Sequence, residues 1–249
     1  MRFDRVIAVR NDKTVYRDSD RCIKVFSPAY SKADVFGEAL NQVRIEETGL
    51  NVPKIMDVTM FDGKWAIVSE YIRGKTLEQC MEEDPQHAEQ YLQMLIDEQS
   101  RIHQETALNL NKQRAKLHSK ISQTQLDVSL RRNLHMRLNG FSDQNRICHG
   151  DFVPSNLILD RDGRIFVLDW AHVTQGDHAA DVARTYLHFL YNDQKELAER
   201  YMEQFCFKND LNQFYVKKWI PIISAARSVS CGQSERSFML RQAAAEEYN

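Results

Sequence analysis

Three side chains with oxygen donors lie close together in one stretch of this sequence. Asp151, Asn156 and Asp169 fall in the segments HGDFVPSNLILD and VLDW. Carboxylate and amide oxygens are the hard ligands that Mg²⁺ prefers, and a carboxylate can also accept a proton from a hydroxyl group. The residue types therefore predict metal binding together with acid–base chemistry.

The elements around these residues predict how they are positioned. The apolar run 157–159 and the run before Asp169 have the character of two strands, joined by an Asp-Gly turn. Because a hairpin brings its outer ends together, Asn156 and Asp169 should lie side by side as a metal clamp. Asp151, across a Pro-containing loop, is expected to be a free carboxylate that orients a hydroxyl during phosphoryl transfer. The alternative is a capped loop with satisfied polar groups, which the combined spacing and hairpin pattern disfavour.

The motifs HGDFVPSN and LDW resemble the HGDxxxxN and (I/L)D(F/W) motifs of the aminoglycoside phosphotransferase and choline kinase family. This family is the small-molecule branch of the protein-kinase-like fold. Protein kinases differ, because they carry HRDxxxxN, DFG and an APE segment, whereas this chain has HGD, DWA and no Ala-Pro-Glu. The stretch GDHAADVA, residues 176–183, is similar to the family's GDxxxDLA, in which the final aspartate braces the catalytic loop.

The resemblance implies an ATP- and Mg²⁺-dependent kinase that phosphorylates a hydroxyl group of a small molecule, and it leaves GTP open as an alternative donor. It implies that Asp151 is the catalytic base and that Asn156 and Asp169 hold Mg²⁺. His149 and Asp181 would support the catalytic loop. The alternative is a nucleotide-binding pseudokinase scaffold, which the presence of all these residues disfavours.

The resemblance extends to the N-terminal half. Lys24, in the strand CIKVF, matches the lysine that holds the nucleotide's α- and β-phosphates, and Glu38 on the next helix matches its ion-pair partner. Glu46 and Glu47 are alternative partners closer to the helix end. The segment VSEYIRG is similar to the hinge between lobes, where backbone groups of two residues would meet adenine: Glu70 and Ile72.

Two further positions bear on the resemblance. His103, in the segment RIH, resembles the histidine of a Leu-His pair in the family's lower lobe, and a structural role is favoured for it over a catalytic one. The loop expected to cover the phosphates, RNDKT at 10–14, departs from the family because it has no glycine. Backbone N–H groups can still cradle phosphate there, but side chains limit close approach.

The order of elements predicts the fold class. Strands come first and helices later, which argues for an α+β fold. The resemblance implies the protein-kinase-like bilobal fold, with a nucleotide-binding lobe over 1–72 and a helical catalytic and substrate lobe over 73–249. Strands are predicted at 5–10, 14–16, 21–26, 54–61 and 64–71, and helices at 32–48, 85–106, 112–138, 178–192, 194–206 and 213–229.

Composition excludes several classes of protein. The 33 Lys and Arg nearly balance the 35 Asp and Glu, which argues against a nucleic-acid binder that relies on overall basicity. No apolar run approaches the roughly 18 residues of a membrane span, and the charged N-terminus lacks the pattern of a signal peptide. The five cysteines form no CxxC pair. We therefore expect a cytoplasmic protein with small-molecule partners.

The substrate is the least determined feature. The family acts on aminoglycosides, choline, ethanolamine, thiamine, sugars and homoserine. A choline-like cation would need an aromatic cage, for which Trp170, Trp219, Tyr186 and Tyr191 are candidates, although such aromatics are more often core residues. The basic segment 112–146 favours a solvated helix face over an anion-binding or membrane-surface role.

Overall fold

A computed structural model describes residues 4–10, 12–107 and 109–245 of the chain. They form two compact units that alternate along the sequence. The first unit runs to Tyr91 and takes in Pro154–His172, and the second comprises Leu92–Val153 and the chain from Val173 onward. The predicted lobe boundary between residues 72 and 73 stays a prediction.

The first unit is built on a five-stranded antiparallel sheet. Its order is β1-β2-β3-β5-β4, and the strands are β1 (Arg5–Arg10), β2 (Lys13–Asp18), β3 (Arg21–Phe26), β4 (Ile55–Phe61) and β5 (Lys64–Glu70). The turn between β4 and β5 has positive φ at Asp62 (47°) and Gly63 (76°), as a two-residue hairpin requires. Since β3 lies between β2 and β5, the sheet carries Lys24 on an inner strand.

One helix packs on this sheet, and this packing fixes the position of the helix residue Glu38. Helix α1 (Lys32–Glu46) begins with a capping box between Ser31 and Asp34. Its buried residues Val35 and Ala39 belong to a cluster with sheet residues of β3 and β5. This packing sets the rotation of α1 about its axis and therefore where Glu38 points.

A small three-stranded sheet completes the strands of the first unit. Its order is β6 (Gly74–Thr76), β8 (Leu157–Asp160), β9 (Ile165–Val167), and the short helix α2 (Leu77–Glu83) follows β6. Asn51, between α1 and β4, donates its side-chain amide to the Ile165 carbonyl at 3.2 Å and accepts from the Val167 amide at 2.9 Å. These bonds tie the β8–β9 hairpin to the chain that follows α1.

Helices dominate the second unit. They are α3 (Ala88–Gln104, which enters this unit at Leu92), α4 (Gln113–Ser122), α5 (Val128–Asn139), α6 (His178–Tyr191), α7 (Lys195–Lys208), α8 (Gln213–Lys217), α9 (Ile220–Ser228) and α10 (Gln233–Ala244). Two short strands, β7 (Arg146–Cys148) and β10 (Thr174–Gly176), pair antiparallel. Helix α6 is buried along most of its length and packs against α7 and α9, so it is the central helix of this unit.

Two predicted helices are wrong as single elements. The stretch 112–138 divides because Asp127 caps a new helix, accepting the Leu130 amide at 2.9 Å. The stretch 213–229 also divides, since Pro221 lies in the first turn of α9, where its missing N–H is tolerated. A local capping signal ended the helix in both cases although the apolar spacing continued.

None of the helices in the described ranges combines the length and apolar character that crossing a bilayer requires. The five cysteines carry free thiols.

Candidate functional site

The strand lysine and helix glutamate singled out by the sequence lie in contact. Lys24 Nζ donates to Glu38 Oε1 at 2.7 Å, and the Glu38 side chain is largely buried. Glu46 is engaged elsewhere, because its Oε1 accepts the Ile55 amide at 2.8 Å. Of the three candidate partners, the structure therefore brings Glu38 to Lys24.

Two more charged residues extend this pair. Lys24 Nζ also lies 3.2 Å from Asp169 Oδ1, and Lys13 Nζ donates to the second oxygen of Glu38 at 2.9 Å. Lys13 opens β2 and belongs to the segment 10–14 predicted to cover phosphates, where the sequence did not single out its side chain. The result is an alternating row of two lysines and two carboxylates.

The charges in this row support one another. Burial opposes the charge of Lys24, but Asp169 and Glu38 outweigh it and raise the pKa of the lysine. Lys24, with smaller contributions from Lys13 and His172, holds the pKa of Asp169 well below its usual range. Both groups are therefore charged at neutral pH, and Asp169 is available as an anionic ligand.

The β8–β9 hairpin brings Asn156 close to Asp169, but its register differs by one residue from that of a two-residue Asp-Gly turn, so Asn156 lies opposite Leu168, the residue before Asp169. Leu157 pairs with Val167, and the Leu168 amide donates to the Asn156 carbonyl at 2.8 Å. Asp169 itself has φ 62°, a left-handed conformation that aspartate adopts more readily than most residues. The hairpin therefore ends in an amide-bearing and a carboxylate-bearing residue at adjacent positions.

This donor set fits a magnesium ion that takes its remaining ligands from a bound phosphate and water. Among the residues the structure describes, no group of three His, Cys, Asp or Glu side chains could hold a metal by itself. Mg²⁺ is commonly bound by one or two protein oxygens together with substrate phosphates. The two donors at the hairpin end match that mode, and the metal role of Asn156 and Asp169 stays a prediction.

The backbone of the HGD loop is held in place by Asp181, which lies on α6. Asp181 accepts the His149 amide at 2.8 Å and the Gly150 amide at 2.6 Å, and His103 Nε2 lies 3.2 Å from its Oδ2. Burial raises the pKa of Asp181, but His103 and the loop groups reverse the effect and lower it. These are the contacts that the predicted supporting roles of His149 and Asp181 require, and they place His103 in a structural position.

Asp151 is not the free carboxylate expected from the sequence. Arg184 Nη2 donates to its Oδ1 at 2.6 Å, and Arg227 Nη1 lies 4.0 Å from its Oδ2. The expectation was wrong because the loop was considered without the helices that pack beside it. A signal was present for Arg184, since it lies three residues after Asp181 and so on the same face of a helix.

The hinge segment is ordered by neighbouring backbone groups. The Glu70 amide donates to Lys54 and the Tyr71 amide to Asp20, both at 2.9 Å. The Ile72 side chain is buried, and its amide has no hydrogen-bond partner in the ranges that the structure describes. Contact of Glu70 and Ile72 with adenine stays a prediction. The phosphate-covering loop includes Asn11, which lies outside the described residues.

A sequence model of the Phosphotransferase enzyme family matches residues 5–215, most of the chain. The chain belongs to this family. The match covers the Lys24 strand, the HGD loop, the Asp169 hairpin and the α6 aspartate in a single alignment. The predicted resemblance is thereby confirmed.

Solved structures show the phosphotransferase fold across nearly the whole chain. A thermostable mutant of aminoglycoside phosphotransferase APH(4)-Ia gives a TM-score of 0.73 at 15% identity, over 96% of this chain and 92% of that chain. Choline kinase LicA from Streptococcus pneumoniae gives 0.63 at 16% identity, over 97% and 93%. A choline/ethanolamine kinase family protein from Mesorhizobium loti gives 0.65 at 13% identity, over 100% and 90%. No curated protein sequence matches this phosphotransferase.

These likenesses confirm the predicted α+β, protein-kinase-like fold class. They do not name an acceptor for this phosphotransferase. Of the four candidates for an aromatic cage, Tyr191 is half-buried. Trp170, Trp219 and Tyr186 are buried in the core, as the alternative interpretation of these aromatics predicted.

Proposed function

We propose that this protein is an ATP- and Mg²⁺-dependent phosphotransferase that transfers a phosphoryl group to a hydroxyl of a small molecule. The observation that carries the proposal is the Lys24 ammonium held between Glu38 and Asp169. This arrangement places a fixed positive charge beside a carboxylate that is kept ionised. Phosphoryl transfer is catalysed mainly by such positioning and charge neutralisation.

On the nucleotide side, Lys24 would bind phosphate oxygens and Glu38 would keep the lysine oriented. Glu70 and Ile72 would contact the base through their backbone groups. A related solved structure, the Asp-to-Ala variant of APH(4)-Ia, is a ternary complex with ADP and hygromycin B. That complex supports nucleotide use by this fold.

Asn156 and Asp169 would hold Mg²⁺ together with the nucleotide phosphates. When bound, the ion would supply neutralisation of the charge on the transferring phosphoryl group. Asp169 would exchange part of its contact with Lys24 for the metal. A left-handed backbone conformation at a residue other than glycine, as at Asp169, costs free energy and is concentrated at functional sites, which suits this role.

On the acceptor side, Asp151 would accept a hydrogen bond from the acceptor hydroxyl and take its proton as the new oxygen–phosphorus bond forms, the bond from the γ-phosphorus to the bridging oxygen breaks and ADP leaves. Asp181 would hold the loop backbone in place through the His149 and Gly150 amides. Arg184 would fix the orientation of the Asp151 carboxylate. The acceptor hydroxyl would then meet a carboxylate with little rotational freedom.

The test is a coupled ADP-release screen with ATP, Mg²⁺ and a panel of hydroxyl-bearing metabolites and aminoglycosides. Each positive acceptor would be verified by mass spectrometry as the phosphorylated product. We expect at least one acceptor, and Asp151→Asn should abolish most of the signal. Binding of Mg-nucleotide with no transfer to any acceptor would instead indicate a pseudokinase scaffold. Absence of nucleotide binding would overturn the proposal altogether.

A further inference from the structure

A cluster of cationic side chains surrounds Asp151 in the second unit. Arg184 on α6 and Arg227 on α9 approach its two oxygens at 2.6 and 4.0 Å. Glu235 on α10 binds Arg227 in a two-pronged fashion, at 2.7 Å to Nε and 3.3 Å to Nη2, and lies 3.9 Å from Arg184 Nη2. Two arginines therefore share two carboxylates next to the predicted acceptor hydroxyl.

The guanidinium of Arg184 is not fully satisfied by these contacts. The residue is only 5% exposed, and its Nε and Nη1 atoms have no hydrogen-bond partner among the described residues. A buried charged donor without an acceptor is costly, and most such donors in proteins are paired. The positive charge of Arg184 is therefore only partly offset by protein acceptors and adds to the field around Asp151.

Two lysines on α4 add to the same cluster. Lys116 and Lys120 lie one turn apart on α4 and are both half-buried, and α4 packs against α9, which carries Arg227. Burial and then Arg227 lower the pKa of Lys120, while burial and then Lys120 lower the pKa of Lys116 to about 8. The solvated face predicted for this basic segment is therefore wrong for these two positions.

The balance of charge bears on the acceptor. Three cations, Arg184, Arg227 and Lys120, stand against the carboxylates of Asp151 and Glu235. Lys116 is left out of this balance because Asp181 faces it. An excess of partly buried positive charge attracts anionic ligands and repels ammonium groups.

We propose that the acceptor of this phosphotransferase carries an anionic group, a carboxylate or a phosphate, bound by Arg227 and Lys120 with Arg184 beside it. The inference rests on the proposed function, because it places this group next to the hydroxyl that Asp151 would activate. It sets the protein apart from kinases of cationic acceptors. Arg184 acts as a positioning residue for Asp151, and Arg227 and Lys120 select the acceptor.

The test uses acceptors that share a three-carbon frame and differ in charge. Glycerol is neutral, serinol cationic, glycerate a carboxylate and glycerol 3-phosphate a phosphate, and they are supplemented by larger hydroxyl compounds sorted into the same classes. We expect kcat/KM to be about tenfold or more higher for anionic acceptors than for neutral or cationic ones. The two anions distinguish a carboxylate acceptor from a phosphate acceptor.

Variants separate recognition from structural support. Arg227→Met and Lys120→Met should each lower the anionic-to-neutral ratio of kcat/KM by about tenfold, mainly through KM, and Arg227→Lys should restore much of it. Arg132→Met removes one charge from an exposed position on α5 and should leave the ratio unchanged. Loss of thermal stability in Arg227→Met with an unchanged ratio would show a merely structural ion-pair network and overturn the inference.

Binding measured without turnover distinguishes failure of the anion site from failure of the proposed phosphotransferase function. Calorimetry with protein saturated in Mg-AMP-PNP should detect glycerate or glycerol 3-phosphate, and Arg227→Met should weaken this binding. Such binding without phosphoryl transfer would sustain the anion site while refuting the proposed function. Transfer that favours cationic or neutral acceptors would sustain the function and refute the anion site, as would failure of every anion to bind.

Discussion

Lys24 and Asp169 are 145 residues apart in the sequence, yet the lysine Nζ lies 3.2 Å from the aspartate Oδ1. The sheet supplies the lysine and the β8–β9 hairpin supplies the carboxylate, so the contact depends on the packing of the whole first unit. Asn51 bonds the hairpin to the segment after α1, and Asn41 of α1 donates to the Ala171 carbonyl at 3.5 Å. The row formed by Lys13, Glu38, Lys24 and Asp169 therefore depends on packing within the first unit and not on the conformation of a single loop.

The Lys24–Glu38 pair can be tested with a double-mutant cycle. Lys24→Met and Glu38→Gln should each lower kcat/KM by about tenfold or more, because both substitutions disrupt the same Lys24–Glu38 pair that binds phosphate. The double variant should lose little more than the larger single loss, since effects within one interaction are less than additive. Glu47→Gln, the same change at an exposed position at the end of α1, should have little effect. Strict additivity at saturating Mg²⁺ would count against the pairing.

Asp169→Ala should weaken magnesium-dependent nucleotide binding as well as the rate. Loss of the carboxylate removes a metal ligand and leaves Lys24 with one fewer partner. Titration of AMP-PNP with and without Mg²⁺ should show that the metal increases nucleotide affinity much less in the variant than in the wild type. Asp162→Ala, at an exposed position in the turn of the same hairpin, serves as the control. Unchanged Mg-nucleotide affinity in Asp169→Ala would place the metal elsewhere.

Two glycines should respond to alanine in opposite directions. A Cβ at Gly74 would lie 2.2 Å from the Leu159 carbonyl oxygen across the β6–β8 pair, and backbone cannot move aside easily. Gly74→Ala should therefore cost about 1–3 kcal/mol of stability. Gly37, inside α1, has open space around its Cβ position, so Gly37→Ala should stabilise by about 0.5–1 kcal/mol. Denaturant unfolding would measure both, and equal signs would contradict this packing.

Acid stability should depend on His178. Burial, with smaller contributions from His103 and Arg146, lowers the pKa of His178 to about 4 from its ordinary 6.5. The unfolded chain binds this proton more readily than the folded protein does. The contribution of His178 to the free energy of unfolding is therefore fully present above pH 6.5 and is lost as the pH falls toward 4. The shift corresponds to at most about 3 kcal/mol.

His178→Gln should flatten the fall of unfolding free energy between pH 6.5 and 4. Equal slopes in wild type and His178→Gln would show that His178 does not titrate in this window.

Much of the site could be predicted because its motifs are local. The Asp-Gly turn predicts a hairpin that brings Asn156 and Asp169 together, although the structure places Asn156 opposite Leu168, one residue from the predicted register. Alternation in β3 predicts that Lys24 lies on the opposite face of the strand from Ile23 and Val25. Glu38 and Glu46 both lie on α1, so only the family resemblance identified Glu38 as the partner of Lys24. The structure supplied the physical reason, which is that Glu46 accepts the Ile55 amide.

The rest depended on contacts between elements far apart in sequence. Arg227 reaches Asp151 from α9, and no spacing in the sequence links the two residues. Lys116 and Lys120 had the pattern of exposed residues on a basic helix, and only the packing of α4 on α9 shows that they are half-buried. Helix ends were missed where a cap, such as Asp127, interrupted a continuing apolar period.

If Asp151 activates the acceptor hydroxyl, single-turnover transfer of labelled γ-phosphate should depend on its carboxylate, which Asp151→Asn removes. Asparagine keeps an oxygen for Arg184, so the variant should fold and bind Mg-nucleotide like the wild type, which melting and calorimetry would verify. The transfer rate of Asp151→Asn on the best acceptor should be lower by about 10²-fold or more, the usual contribution of a positioned base. A transfer rate close to wild type, with nucleotide binding intact, would contradict this role of Asp151.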